Sequence, residues 1–222
     1  AEDWGSDEAD RDGAVTLHIP EEHFFPWSPD SPFLYDLTVG TTQGEEEQRD
    51  TVHSYFALRK WSCAPDVHGI MRFCLNGKPI LLNGLLDQGY WPEGLYTPPS
   101  DGAVVRELQT IKELGFNLLR KHAKIEPQRW YYHCDKLGLI VWQDMVNGGG
   151  PYKLWFVTYL TNVFQPLLRR LPDARPLWGL LGRETEAGRE EYARELEATV
   201  KALQCHPCVG CWVPFNEGWG QF

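Results

Sequence analysis

The sequence lacks any apolar run that approaches the ~18 residues of a membrane-spanning helix. It is also poor in basic residues, with 21 Lys and Arg against 31 Asp and Glu, and it has no basic stripe. Membranes and nucleic acids are therefore not expected among its partners. The acidic excess lies in the first 50 residues, which hold 14 acids and 2 bases, and clustered acids of this kind are typical of solvated loops.

The six cysteines do not form a complete metal or cluster motif. The segment CHPCVGC, with Cys205, Cys208 and Cys211, has the spacing of the first three ligands of an iron–sulfur cluster but lacks the fourth. These side chains should diverge, because they span a helix end, a Pro turn and a strand. Free, partly buried thiols are expected, and they favour a reducing compartment such as the cytoplasm. Periplasmic or secreted locations stay open, because the chain does not begin with Met and a preceding segment is expected.

Hydrophobic residues make up 42% of the chain and aromatic residues 13%, which is enough to bury a core. The ten tryptophans are a high count and suit carbohydrate binding, because indole rings stack on the faces of sugars. Most of these tryptophans are nonetheless expected in the core.

The first sixty residues have the pattern of β-strands. Runs rich in β-branched and aromatic residues at 14–19, 33–41 and 50–60 are separated by turns rich in Pro, Gly or charge. Three strands are too few for an independent sandwich, so residues 1–62 are predicted to be the tail of a larger β domain.

A second domain is predicted over residues 63–222. Asn76-Gly77, between two apolar runs, predicts a hairpin near its start. Beyond the hairpin, apolar strand patterns alternate with amphipathic helix patterns. The predicted strands are 80–86, 116–122, 139–144 and 209–215, and the predicted helices are 102–114, 127–137 and 184–204. Strict alternation indicates a parallel sheet, in either a doubly wound fold or a (β/α)8 TIM barrel.

The sequence lacks the phosphate-binding turn that a nucleotide-binding doubly wound fold needs. The segment LLDQGYWPEG after the first predicted strand is not glycine-rich, and VNGGGPY at 146–152 has no Lys-Ser/Thr behind its glycines. The TIM barrel is therefore the better interpretation, with residues 145–183 as an insertion on the face where barrels have their active sites. The predicted fold class is α/β, the first half of a (β/α)8 barrel preceded by β-strands.

Polar residues end all four predicted parallel strands, and in a barrel these ends meet on one face. They are Asp87 on the first strand, Arg120 and His122 on the second, Asp144 on the third, and Asn216 with Glu217 on the fourth. A carboxylic acid that is desolvated in a cleft has a raised pKa and can donate a proton near neutral pH. Glu217 is therefore the candidate proton donor for glycoside hydrolysis, which also needs a second carboxylate on the other face of the sugar.

The residues grouped with Glu217 each have a structural alternative. Asn216 is suited to bind a sugar hydroxyl, and Arg120 is suited to orient Glu217 or Asp144. Arg120 and Asp144 are equally well explained as a structural ion pair in the barrel mouth. For His122, a packed or capping histidine is the simpler interpretation.

Six motifs run through nearly the whole chain. They are PWSPDSPFLYDLTV at 26–39, SYFALRK at 54–60, FCLNGKPILLNG at 73–84, GFNLLRKH at 115–122, CDKLGLIVWQDM at 134–145 and HPCVGCWVPFNEGWG at 206–220. Together, and in this order, they resemble glycoside hydrolase family 2, which includes β-galactosidases, β-glucuronidases and β-mannosidases. The first, third and last motifs are the most specific in combination.

The resemblance implies a jelly-roll, an immunoglobulin-like sandwich and a catalytic barrel in succession, with 1–62 as the end of the sandwich and 63–222 as the first half of the barrel. It implies retaining, double-displacement hydrolysis of a glycoside or oligosaccharide. In that mechanism Glu217 matches the acid/base, and Asn216 matches the residue that contacts the sugar 2-hydroxyl. The other residues expected to bind substrate are Arg120, Asp144, Asp87, His122 and Trp219.

The chain departs from the family pattern at several points. His122 lies one position before the histidine of the common Arg-x-x-His pattern, where this chain has Ala123. The end of the first strand lacks the His-rich turn of many β-galactosidases, so the sequence does not determine which sugar the protein recognises. The family nucleophile, a Glu at the seventh strand, has no counterpart in the four strands predicted here, and the chain is expected to be a fragment. No cofactor is predicted, although some relatives bind cations that assist the acid.

Two functions from different classes fit these observations. The first is a retaining exo-β-glycosidase of carbohydrate catabolism, in which this fragment alone is inactive because it lacks the nucleophile. The second is a non-catalytic carbohydrate-binding or scaffold protein on a degenerate barrel. A doubly wound nucleotide-binding enzyme is a distant third, and homo-oligomerisation, linkage and aglycone stay open.

Overall fold

The computed structural model describes residues 13–43, 48–160, 163 and 174–216 of the 222-residue chain. The chain divides into two compact units, Ala1–Leu81 and Leu82–Phe222. Within the described residues, no helix combines the length and the apolar character that crossing a bilayer requires.

The first unit contains an antiparallel hairpin of β1 (Tyr35–Gln43) and β2 (Gln48–Phe56). These strands confirm the prediction for 33–41 and 50–60. The predicted strand at 14–19 is wrong, because those residues lie outside any strand in the described part of the chain. An alternating pattern forms a ladder only where another strand pairs with it, and the sequence pattern alone does not show whether a partner exists.

A second antiparallel sheet follows, made of β3 (Trp61–Pro65), β4 (Met71–Leu75) and β5 (Lys78–Pro79). The Asn76-Gly77 turn between β4 and β5 has φ angles of 52° and 79°, the two positive values of a type I′ turn, and the predicted hairpin is confirmed. Since β4 pairs with β3, the hairpin belongs to the first unit. The two compact units divide after residue 81, and the domain boundary predicted at residues 62 and 63 stays a prediction.

The second unit alternates strands and helices, as predicted. Its elements are β6 (Gly84–Asp87), α1 (Asp101–Glu113), β7 (Leu118–Lys121), α2 (Gln128–Leu137), β8 (Ile140–Asp144), α3 (Glu186–Leu203) and β9 (Val209–Val213). The four strands are parallel and lie in the order β6-β7-β8-β9. A doubly wound sheet reverses its strand order at a switch point, whereas a barrel adds each strand beside the one before it, as this sheet does.

Local chemistry sets the helix ends of the second unit. Ser100 caps α1, because its hydroxyl oxygen accepts a hydrogen bond from the Ala103 N–H at 3.1 Å. Gly138 ends α2, as predicted, with a φ of 71° in the left-handed region that glycine adopts without strain. Between β8 and α3, the described residues include a π-helical turn (Trp155–Leu160) and a 3-10 turn (Arg175–Leu177).

The core of the second unit lies between the sheet and its helices. Leu119 of β7, Ile140 of β8, Leu108 of α1 and Cys134 of α2 are all fully buried. Side chains alternate along a strand, so each strand sends one set of side chains toward the helices and the other toward the opposite side of the sheet. This alternation decides which polar residues at the strand ends can meet.

Candidate active site

Three polar side chains meet where the parallel strands end. Arg120 lies in β7, Asp144 is the last residue of β8, and Asn216 lies shortly after β9. Parallel strands bring their carboxyl ends to the same edge of a sheet, so residues far apart in sequence become neighbours there.

Arg120 and Asp144 form a two-point ion pair. Arg120 donates through Nε to Asp144 Oδ1 at 2.9 Å and through Nη2 to Asp144 Oδ2 at 3.1 Å. The Asp144 side chain is fully buried, whereas 36% of the Arg120 side chain is exposed. A buried carboxylate needs a charged partner, and the planar guanidinium matches both of its oxygens. Asp144 is thus placed to orient Arg120, and Arg120 is left with one side open to solvent.

The same guanidinium holds Asn216. Nη2 of Arg120 donates to Asn216 Oδ1 at 2.7 Å, and only 4% of Asn216 is exposed. The Asn216 amide nitrogen lies 2.9 Å from Nε2 of His122, and the Gln88 amide nitrogen lies 3.4 Å from Nδ1 of the same ring. A hydrogen-bonded network therefore runs from Asp144 through Arg120 and Asn216 to His122.

Asp87 belongs to a different cluster, although we predicted that it would converge with Arg120 and Asp144. In the β6–β7 register, Asp87 lies opposite Lys121, the residue that follows Arg120. Successive side chains of a strand point to opposite faces, so Arg120 and Lys121 cannot both turn to the same side. Asp87 Oδ2 accepts from Lys121 Nζ at 2.7 Å, and Oδ1 accepts from the Gly89 N–H at 2.8 Å. Asp87 still ends its strand at the same edge of the sheet as Arg120, and its role in substrate binding stays a prediction.

The cluster around Lys121 was missed by the sequence analysis. Lys121 is fully buried, contacts Glu126 Oε1 at 2.9 Å in addition to Asp87, and lies 4.4 Å from the ring centre of Trp130. Lys124 contacts the same Glu126 oxygen at 2.8 Å. The sequence signal for this cluster is the Arg120-Lys121 pair at the end of an apolar strand. Successive side chains of a strand point to opposite faces, so only one of these two cations can point to the site.

Lys124 also fixes the loop that follows β6. Its ammonium donates to the backbone carbonyls of Gly89 and Tyr96, both at 2.8 Å. In this loop the exposed hydroxyls of Tyr90 and Tyr96 lie 2.6 Å apart. The loop begins at the carboxyl end of β6, so it lies at the same edge of the sheet as the Arg120 network.

A buried hydrogen bond supports the segment after β7. The Tyr131 hydroxyl donates to Gln143 Oε1 at 2.6 Å, and the Gln143 amide nitrogen donates to the Lys124 carbonyl at 2.8 Å. Burial raises the pKa of Tyr131, so this hydroxyl remains a donor throughout the neutral range. These two hydrogen bonds connect α2 and β8 to the segment that carries Lys124.

Glu217 and Trp219, the predicted proton donor and its aromatic neighbour, lie outside the described residues. Among the residues that the structure does describe, no group of three His, Cys, Asp or Glu side chains is placed to hold a metal ion. All six cysteines are free thiols, with Cys205 exposed and Cys208 buried.

Comparison with known proteins identifies relatives among the glycosidases. No family model matches the chain. A β-galactosidase of Leuconostoc mesenteroides is 27% identical over 214 residues, which covers 94% of this chain and 17% of the relative. An exo-β-D-glucosaminidase of Amycolatopsis orientalis is 28% identical over 130 residues, covering 54% of this chain and 12% of the relative. The chain thus spans about 17% of the length of the curated β-galactosidases that it matches.

Solved structures show the same fold. A β-glycosidase from Bacteroides vulgatus matches with a TM-score of 0.65 at 21% identity, over 90% of this chain and 22% of that protein. A β-glucuronidase from Parabacteroides merdae matches with a TM-score of 0.61 at 20% identity, over 86% of this chain and 20% of that protein. The second unit therefore has the fold of part of a glycosidase TIM barrel, which confirms the predicted fold class. The resemblance to β-galactosidases and β-glucuronidases is confirmed as well, since curated proteins with these names match the chain, one of them over 94% of this chain's length.

Proposed function

We propose that this chain forms part of the active site of a retaining exo-β-glycosidase, which removes terminal β-linked sugars. The observation that carries the proposal is the Asp144–Arg120–Asn216 network. This network holds the side-chain amide of Asn216, the residue that directly precedes Glu217 in the sequence. Only 4% of Asn216 is exposed. Such a site is preorganised, because the amide needs no rearrangement when a sugar hydroxyl arrives.

The proposed reaction has two steps. In the first, Glu217 gives its proton to the glycosidic oxygen while a second carboxylate attacks the anomeric carbon, and the bond to the leaving group breaks. In the second, ionised Glu217 takes a proton from water, the resulting hydroxide equivalent attacks the anomeric carbon, and the second carboxylate leaves. Both steps invert the anomeric carbon, so the product keeps the configuration of the substrate.

The Asn216 amide is proposed to contact the sugar 2-hydroxyl. Hydrogen bonds to this hydroxyl strengthen in the transition state, where positive charge develops near the anomeric carbon. Arg120 restrains the amide through its Oδ1 atom, and Asp144 restrains Arg120 in turn. Arg120 and Asp144 therefore act on catalysis by fixing Asn216, and the exposed part of Arg120 is available to the substrate.

Asp144 is unsuited to serve as the second carboxylate. It is fully buried, and both of its oxygens accept hydrogen bonds from Arg120. Retaining chemistry also needs the two carboxyl groups ~5–5.5 Å apart on opposite sides of the sugar, whereas residues on adjacent strands approach from one side. We therefore propose that these 222 residues alone do not turn over a glycoside, and that the nucleophile comes from a later strand of the barrel.

The test uses the full-length gene product and a panel of nitrophenyl β-glycosides. The panel contains the galactoside, glucuronide and glucosaminide, to which the names of the relatives point. It also contains the mannoside, which the family resemblance suggests. The proposal predicts turnover of one sugar class, with a product that first appears as the β-anomer in proton NMR. An α-anomer would contradict the retaining mechanism, and sugar binding without turnover would favour the carbohydrate-binding alternative.

A further inference from the structure

We propose that His122 is a positioning residue, which acts as a neutral hydrogen-bond acceptor and fixes the direction of the Asn216 amide. Its effect on catalysis rests on the proposed function, whereas its effect on Asn216 rests on the contacts alone. The sequence predicted His122 as a substrate-binding residue, so the two roles make different predictions.

The argument begins with the guanidinium of Arg120. Arginine has five N–H donors and no acceptor, so the Asn216 atom that lies 2.7 Å from Nη2 must be the amide oxygen. The amide nitrogen of Asn216 then necessarily points the other way, to the His122 ring at 2.9 Å. The direction of the amide is therefore set by a donor-only neighbour.

This direction fixes the state of the imidazole. The Asn216 nitrogen can only donate, so Nε2 of His122 must accept and carries no hydrogen. The ring is then neutral, with its hydrogen on Nδ1. The Gln88 amide nitrogen lies 3.4 Å from Nδ1. Because a hydrogen on Nδ1 needs an acceptor, we assign the Gln88 amide the opposite orientation, with its oxygen toward the ring.

The backbone holds the ring in place. The His122 N–H donates to the Asp87 carbonyl at 2.8 Å, which continues the β6–β7 ladder to the end of the strand. Ala123, the next residue, has a φ of 47°, a left-handed conformation that is strained for a residue other than glycine. The chain thus turns sharply just after His122 and leaves the ring facing Asn216. Strained backbone of this kind is typical of functional positions.

Protonation of His122 would break the network. An imidazolium presents donors at both nitrogens, and Arg120 presents donors on the other side of Asn216. Neither orientation of the Asn216 amide can then satisfy both neighbours, because one of the two contacts always joins two donors. Within the described part of the chain, the elements around His122 carry three cations and three anions, which pair with one another: Arg120, Lys121, Lys124, Asp87, Glu126 and Asp144. Each of these three anions already accepts from a cation of the same set.

The kinetic test compares His122→Gln with His122→Leu in the full-length protein. Glutamine has an oxygen that can accept from Asn216 and does not titrate, whereas leucine has no acceptor. We expect His122→Leu to lower kcat/KM by about 10- to 100-fold, mainly through kcat, because the 2-hydroxyl contact matters most in the transition state. His122→Gln should recover most of this loss, and His68→Leu, at an exposed histidine of the first unit, should change nothing.

Rescue by glutamine separates positioning from packing, because a histidine that only fills space would be replaced at least as well by leucine as by glutamine. Equal kcat/KM for the leucine variant and the wild type, or a glutamine variant no better than leucine, would overturn the proposal.

A structural test does not depend on activity. Crystal structures of the full-length wild type, His122→Gln and His122→Leu show the direction of the Asn216 side chain. We expect the Asn216 amide nitrogen to contact residue 122 in the wild type and in His122→Gln, and to turn away in His122→Leu. An unmoved Asn216 in all three structures would refute the positioning role. If the wild type turns over no glycoside, the proposed function fails while this comparison still decides the role of His122.

Discussion

Arg120 donates a hydrogen bond to Asn216 over 2.7 Å, although the two residues lie 96 positions apart in the chain. The contact exists because β7 and β9 belong to one parallel sheet and end at the same edge. Asn216 is also the residue directly before Glu217 in the sequence. The described part of the sheet therefore holds in place the residue that directly precedes the proposed proton donor in the sequence.

Arg120→Lys should lower kcat/KM of the full-length enzyme by about 10- to 100-fold, because lysine keeps the charge but cannot contact both Asp144 oxygens and Asn216 together. Steady-state kinetics on the preferred nitrophenyl glycoside measures the effect. Arg106→Lys, at an exposed position of α1, is the matched control and should leave kcat/KM unchanged. Similar losses in both variants would show that Arg120 has no special role.

Lys121→Met should destabilise the protein by about 3–5 kcal/mol, because it leaves the carboxylates of Asp87 and Glu126 without their buried cation. Denaturant unfolding of the full-length protein measures this loss. The control is Lys201→Met, which removes an exposed ion pair with Glu197 and should cost less than about 1 kcal/mol. Equal stabilities of the two variants would contradict the assignment of Lys121 to a buried charge cluster.

Two glycines near the ends of α1 should respond oppositely to alanine. Gly115 has a φ of 87°, so Gly115→Ala should destabilise by about 1–2 kcal/mol. At Gly102 the added methyl would lie 3.6 Å from Arg106 Nη1, an ordinary contact, and Gly102→Ala should stabilise by about 0.4–1 kcal/mol. The shift in the unfolding midpoint measures both changes, and shifts of the same sign would contradict the backbone geometry.

Stability should decline in alkali because of Cys134. Burial raises the pKa of the Cys134 thiol, so the folded state binds its proton more tightly than the unfolded chain does. The stabilisation is fully present below the unfolded value of about 8.5 and is lost as pH rises above it, by up to about 1.4 kcal/mol per pH unit. Cys134→Ala should show a shallower decline of the unfolding midpoint between about pH 8.5 and pH 10. An identical slope would exclude this thiol as the cause.

Periodicity predicted the alternating strands and helices of the second unit, because each element buries one regular face. The same pattern failed at 14–19, where pairing with a distant strand decides whether a strand forms. The strand ends correctly pointed to Arg120, Asp144 and Asn216 as neighbours. They did not reveal that Asp87 contacts Lys121, because that contact depends on register, which is a property of two strands rather than one.

The direct test of the account is the kinetic effect of Glu217→Gln in the full-length protein. On a natural disaccharide, loss of the proton donor should lower kcat by about 10²–10⁴-fold. The loss on the matching dinitrophenyl glycoside should be much smaller, because that leaving group departs without a proton. Glu191→Gln, at an exposed position of α3, should behave like the wild type. Unchanged turnover of both substrates by Glu217→Gln would contradict the account.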